Sequence, residues 1–203
     1  MKLEAVFKNR RSVRKFNNSQ ISDDIINDIL LAANSAPCTD TCNYFFGVIK
    51  DKDIKEKIGE ATVYANWVKD APVIFVCCSN IGFDILNESE ESYAHLGLTA
   101  RYGKETMHFL LNAKNRKSIK TLLQSSPVYI AAQHIILSAV SHGLRGCLVD
   151  FINLEKINQI LNLPENITCE LLVPIGYADE EPTPIKTNDK DNVFYDIWKN
   201  KNM

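Results

Sequence analysis

The chain is notable first for what it lacks. No apolar run approaches the roughly 20 residues needed to span a bilayer, and the amino end carries no uninterrupted apolar block of the signal-peptide kind, so cytoplasmic residence and no membrane partner are the expectations. No G-x-G-x-x-G follows a strand-like segment, and Gly143-Leu144-Arg145-Gly146 is too short to serve, which argues against a dinucleotide-binding βαβ unit. The six cysteines include no second Cys/His pair at zinc spacing to accompany Cys38 and Cys42, so no metal is expected and the thiols read as reduced. Internal repeats and low-complexity tracts are absent. His95, His108, His134 and His142 share no motif with a serine or cysteine, so no nucleophile–base pair is apparent. Net charge is −2, which opposes a general nucleic-acid binder.

What is present begins with Arg10-Arg11-Ser12-Val13-Arg14-Lys15-Phe16. Guanidinium forks match phosphate oxygens in pairs, and a serine hydroxyl adds a donor. Such a cluster suits a terminal phosphate monoester, and equally a solvated basic amino end. At 203 residues the chain fits a single domain covering 1–203.

Ser22 with Asp23 and Asp24 predicts a helix start, and Ile25, Ile26, Ile29, Leu30 and Ala33 form its apolar stripe up to Ala36-Pro37. Phe45 to Ile49 reads as a short buried strand, Lys52 to Ile58 as a surface helix closed by Gly59, and Tyr64 to Lys69 as a helical turn carrying Trp67. Val73 to Cys78 is apolar throughout and reads as a central strand. Residues 80–126 are the least patterned, with helices and exposed loops expected there and a lid or substrate-facing role open. Pro127 reads as the first residue of a long helix that is apolar nearly all round and stops at His142-Gly143. Cys147 to Val149 reads as extended, Asn153 as a helix cap, and Cys169 to Tyr177 as the last strong strand.

Taken together, these segments make the chain resemble the FMN-dependent nitroreductase family. The Arg10–Phe16 opening, the Ala32–Pro37 turn, the Ala71–Val76 strand, Gly143–Cys147, the Leu161–Pro164 helix end and Pro174–Tyr177 carry the resemblance in order and spacing. It implies an α+β fold with a mixed, mainly antiparallel central sheet flanked by helices, in an intertwined homodimer with FMN at each of two interface sites. It further implies that Arg10, Arg11, Ser12 and Arg14 hold the FMN phosphate. The turn after Pro37, with Cys38, Thr41 and Asn43 where the family usually has Ser, Asn and Gln, would reach flavin from the partner subunit. Cys38 is then either a redox thiol or a plain small side chain. Leu148 and Val149 would lie against the isoalloxazine, with a backbone N–H of that segment near flavin N5. Asp150 reads as a bond to backbone N–H or a cap for the helix near Asn153, the cap being favoured. Trp67 is either close to the ring or in the core. Near the carboxyl end Lys186 fits a phosphate-binding position, Asn188 stands where the family commonly has arginine, and Lys190 is an alternative cation; both lysines are otherwise tail charges.

The activity implied is hydride passage from NADH or NADPH through flavin N5 to a nitroaromatic, quinone or similar acceptor, by a ping-pong mechanism needing no protein nucleophile. The alternatives are a specialised flavoprotein of the same fold, such as a reductive dehalogenase or dehydrogenase, and a non-catalytic flavin-binding or sensing module.

Overall fold

The structure, a computed structural model, describes residues 1–38, 44–82, 84, 87–184 and 196. Its centre is an antiparallel sheet of four strands in the order β1 (Tyr44–Ile49), β2 (Val73–Asn80), β4 (Ile167–Gly176), β3 (Arg145–Gly146). All ten residues of β4 are buried, and β2 is buried up to its final Asn80. Strands covered on both faces need apolar side chains on both, which is why β2 reads as a continuous hydrophobic run rather than an alternating one.

One face carries Phe75, Leu171, Val173 and Ile175 against α2 (Asp23–Asn34) and α6 (Arg116–Ser141), with Ile29 and Ile135 fully buried between them. The other face carries Ile74, Val76 and Leu172 against α3 (Lys52–Glu60), a 3₁₀ turn (Asn66–Asp70) and α7 (Leu154–Ile160). The short α1 (Leu3–Asn9) packs on α6, and α4 (Tyr93–Tyr102) packs on α5 (Lys104–Leu111). The architecture is the expected α+β arrangement of helices on both sides of a sheet. Its parallel component, among the described residues, is confined to an isolated bridge between Ser12 and Gly146. No helix among the described residues is long and apolar enough to cross a membrane.

Local signals place most elements correctly. Ser22 Oγ accepts from the Ile25 amide at 3.4 Å and Asn153 Oδ1 from Lys156 at 3.0 Å, each satisfying one of the orphan donors at a helix start. His142 caps α6 and Gly143 follows at φ 81°, the left-handed position that glycine takes without a Cβ penalty.

Three expectations are corrected. Pro127 does not begin a helix; it lies inside α6, which starts eleven residues earlier at Arg116 behind an Asn115 cap that accepts from Ser118 at 3.1 Å. A proline there removes one backbone bond. The turns on either side keep theirs, and Thr121, Val128 and Ala131 bury the helix before and after it. β1 is not buried: as an edge strand it pairs only with β2 among the described residues, and Phe45 is 49% exposed. Gly59 does not close α3, which continues to Glu60, because the ending is set by Ala61 and Thr62 amides folding back onto Ile58 and Gly59 carbonyls.

Candidate functional site

The Arg10–Phe16 segment leaves α1 and runs extended along the sheet margin. Val13 N–H donates to Gly146 O at 3.1 Å, Asn17 N–H to Tyr177 O at 3.0 Å, and Phe16 bridges Ala178. Val13 and Phe16 are buried, while Ser12 and Arg14 are exposed. Alternation along an extended chain therefore puts Ser12 and Arg14 on the side opposite Val13.

Arg14 lines an open cleft of about 340 Å³. Its other walls are Val63, Tyr64, Ala65 and Trp67 on one side and the Cys147–Phe151 segment on the other. Backbone pairing holds these walls together: Val63 N–H donates to Phe151 O and Asn153 N–H to Ala61 O, both at 2.8 Å. Beneath, Val149 and Leu172 exchange both backbone bonds at 2.9 Å, fastening the floor to β4. The Val149 N–H is spent on β4, whereas the amides of Leu148 and Asp150, like those of Cys147 and Phe151 in the same run, meet no backbone acceptor among the described residues.

Trp67 takes the core part of the two alternatives and also reaches the cleft. It packs on the core beside Phe16, with ring centroids 6.5 Å apart, and its half-exposed remainder lines the cleft. Asp150 does not cap α7, since Asn153 does. Asp150 instead accepts from the Tyr129 hydroxyl at 3.3 Å. Burial first, and then the Asp150 charge beside it, push the Tyr129 phenol up to about 12, so the tyrosine stays a neutral donor at physiological pH.

The other expected residues are placed as follows. Arg10 is half-buried at the end of α1, where its N–H donates to Val6 O. Arg11 folds back: its Nη1 donates to Lys8 O at 2.6 Å and Arg10 O at 2.7 Å. A cation on the last carbonyls of a helix suits the negative end of its dipole. Of the four basic-segment residues, Arg14 alone lines the cleft, with Ser12 two residues away along the same extended run. Leu148 and Val149, expected to lie against a flavin ring, both line this cleft. Cys38 is exposed and stands apart from the cleft of its own chain. Asn43, Lys186 and Lys190 lie outside the described residues.

Three cleft residues escaped the sequence reading. Tyr64 is fully exposed, Phe151 is 72% exposed, and Val63 is 47% exposed. Tyr64 also holds φ 62°, a left-handed conformation uncommon for a residue with a Cβ. An aromatic kept strained and unburied at a cleft rim is a signal available only in three dimensions.

The fold and this cleft define a class, and comparison with known proteins gives the same answer. The model of the Nitroreductase family matches residues 7–177, and the chain belongs to that family. A protein of Methanothermobacter thermautotrophicus with the provisional name NADH dehydrogenase/NAD(P)H nitroreductase is 28% identical, over 97% of this chain and 87% of its own length. An NADH dehydrogenase of Thermus thermophilus is 25% identical over 86% of each. Among solved structures, an FMN-dependent nitroreductase from Clostridium difficile superposes with a TM-score of 0.68 at 20% identity, covering 95% of this chain and 98% of that one. The NfrA1 nitroreductase of Bacillus subtilis gives 0.71 at 16%, covering 99% and 76%. At such identities the structural likeness is one of fold.

Proposed function

We propose that the chain is an FMN-dependent NAD(P)H oxidoreductase that reduces nitroaromatic, quinone or similar acceptors, and that it works as a homodimer. The observation that carries this reading is one open cleft in which the Arg14 cation stands beside an apolar shelf of Trp67, Leu148 and Val149. The residues present fit the group. A planar aromatic tricycle matches the indole and aliphatic shelf, and a phosphate matches guanidinium donors at one end.

FMN, when bound, supplies two-electron chemistry at ring atom N5. The chain supplies the rest. Arg14, with Ser12 and Arg10 of the same segment, holds the anionic end. Leu148 and Val149 present the flat face, and the backbone N–H of Leu148 or Asp150 is free to address the ring edge because Val149 is anchored to Leu172. Tyr64, Val63 and Phe151 form an apolar rim that keeps water from the reacting face. Donor and acceptor would use this single cleft in turn, so no protein nucleophile is required.

A cleft of about 340 Å³ is at the small end of the range for ligand sites, about 300–1,000 Å³. A second copy completing the wall is therefore part of the proposal. It gives the exposed Phe7, Leu31, Phe45 and Phe151 a covering surface, and gives Cys38 and Asn43 a route to the partner's cofactor.

The visible spectrum of the purified protein is the first test, with flavin bands expected. Anaerobic addition of NADH or NADPH should bleach them, and a nitroaromatic, quinone or halogenated aromatic acceptor should restore them, with parallel double-reciprocal plots. A preparation that is colourless and takes up no added FMN would overturn the reading.

A further inference from the structure

One side chain of the cleft is left unused by the chemistry described so far. Asp150 lines the cleft and is exposed, whereas its neighbour Val149 is buried against β4. The backbone around it is pinned on both sides. Val149 exchanges bonds with Leu172, Ile152 N–H donates to Asp150 O at 2.9 Å, and Val63 N–H donates to Phe151 O at 2.8 Å. The side chain is held as well, since Asp150 Oδ2 accepts from the Tyr129 hydroxyl on α6 at 3.3 Å. Its other oxygen, Oδ1, has no partner among the described residues.

An ionised carboxylate accepts hydrogen bonds and has none to give. Asp150 is the anionic group of the lining, and the other charged group there is Arg14. With the cofactor phosphate on Arg14, the carboxylate is the charge left to face whatever enters next. The neighbouring Cys147 thiol does not satisfy it, because that thiol donates to Leu148 O at 3.4 Å. Tyr64, Trp67 and Phe151 supply aromatic surface in the same lining.

The ligands that would take turns in this cleft differ in what they offer such a group. Nitro and quinone groups present oxygen acceptors, which a carboxylate repels. The nicotinamide ring carries a carboxamide, whose NH₂ has two hydrogens to donate. A hydrogen bond to an ionised acceptor is stronger than one between neutral groups. The ring also gains positive charge as its hydride leaves, and a fixed carboxylate nearby favours that change.

We propose that Asp150 recognises the hydride donor: its open carboxylate oxygen accepts from the carboxamide N–H of the nicotinamide, and Tyr129 is a positioning residue that holds the carboxylate in place. The inference rests on the flavin reading and adds that donor and acceptor, though they share one cleft, are told apart at a single carboxylate.

The test uses flavin-loaded protein with nicotinamide and 3-acetylpyridine, the same ring with a methyl group in place of the carboxamide NH₂. Neither compound carries a hydride to give, so binding is read at equilibrium from the flavin difference spectrum. The parent should bind nicotinamide about tenfold more tightly, as expected for one hydrogen bond to a charged acceptor. In Asp150→Ala the two compounds should bind within about twofold of each other. Tyr129→Phe keeps the carboxylate without its brace and should retain roughly a threefold preference. With the reduced dinucleotides, the ratio of kcat/KM for NADH over its 3-acetylpyridine analogue should fall about tenfold from parent to Asp150→Ala. A parent that binds both rings equally overturns the proposal without any variant, and so does a preference that survives Asp150→Ala. A full preference in Tyr129→Phe would overturn its positioning role. The flavin reading fails separately, through a colourless protein that takes up no FMN.

Discussion

The Glu180 carboxylate accepts from the backbone amide of Arg14 at 2.5 Å and from that of Lys15 at 3.2 Å. A residue 166 positions along the chain thus fills two backbone donors of the basic segment, and Asp179 N–H returns a bond to Lys15 O at 2.9 Å. An anion held by this segment therefore draws nothing from the Arg14 and Lys15 amides. Glu180→Ala should cost about 1–2 kcal/mol by freeing two charge-assisted acceptances and should weaken FMN retention. Glu180→Gln, which keeps an acceptor, should be milder in both. Urea melts and the flavin-to-protein absorbance ratio measure the two effects. Equal flavin content in all three proteins would remove Glu180 from the site.

Replacing Arg10 and Arg14 together with alanine should strip the yellow colour from purified protein while the far-UV dichroism stays native. Among the described residues neither guanidinium makes a hydrogen bond or ion pair within the chain, unlike that of Arg11, which is bonded to Lys8 and Arg10 carbonyls. Full flavin occupancy in the double variant would refute the phosphate assignment. Arg11→Ala should act mainly on stability, by roughly 0.5–1.5 kcal/mol.

Gly146 bridges Ser12 and accepts from Val13 while pairing with Ile175. A Cβ at this position would sit 2.6 Å from the Pro174 carbonyl oxygen and against the Ile175 side chain. The backbone carbonyl cannot give way cheaply, so Gly146→Ala should displace either β3 or the Arg10–Phe16 segment. A loss of about 1–3 kcal/mol in stability is expected, together with reduced flavin affinity, both readable in a thermal melt followed by flavin fluorescence.

Glu170 gives a pH dependence of defined sign. It is the extra residue at the irregularity where Cys77 pairs with Leu171 and Cys78 with Cys169, and it is buried, accepting from Ser79 Oγ. Burial pushes its carboxyl up to about 7 from an ordinary 4.5, with the Ser79 bond opposing. In the unfolded chain the proton leaves first. Stability should therefore fall as pH rises from about 4.5 through 7 and level off above, by at most about 3 kcal/mol. Glu170→Gln should remove this slope, so that the variant gains on the parent between pH 5 and pH 8. A parent and variant with parallel stability profiles across that window would show that Glu170 titrates normally.

Much of this protein was legible before folding. β2 and β4 announce themselves because a strand covered on both faces is apolar at most positions, Ser79, Thr168 and Glu170 being the buried polar exceptions. α2 and α7 are marked by Ser22 and Asn153, whose caps act within four residues. The basic cluster, the Leu148–Val149 segment and the family resemblance are likewise written locally. Helix α6 was misread at its start because its first eleven residues carry charges and serines with no clean stripe, and Pro127 looks like a beginning when only its neighbours are considered.

Sequence alone therefore determined the central strands, the capped helices and the chemistry of Arg10–Arg14, since each depends on short-range patterns of polarity and backbone preference. Tertiary structure decided which of those arginines faces the cleft, that Tyr64 and Phe151 form its rim, that Glu180 fills the Arg14 and Lys15 amides, and that Tyr129 donates to Asp150 at the cleft. These are relations between residues distant along the chain or packed by other elements, and solvent exclusion and hydrogen-bond satisfaction come into being only when the chain is closed on itself.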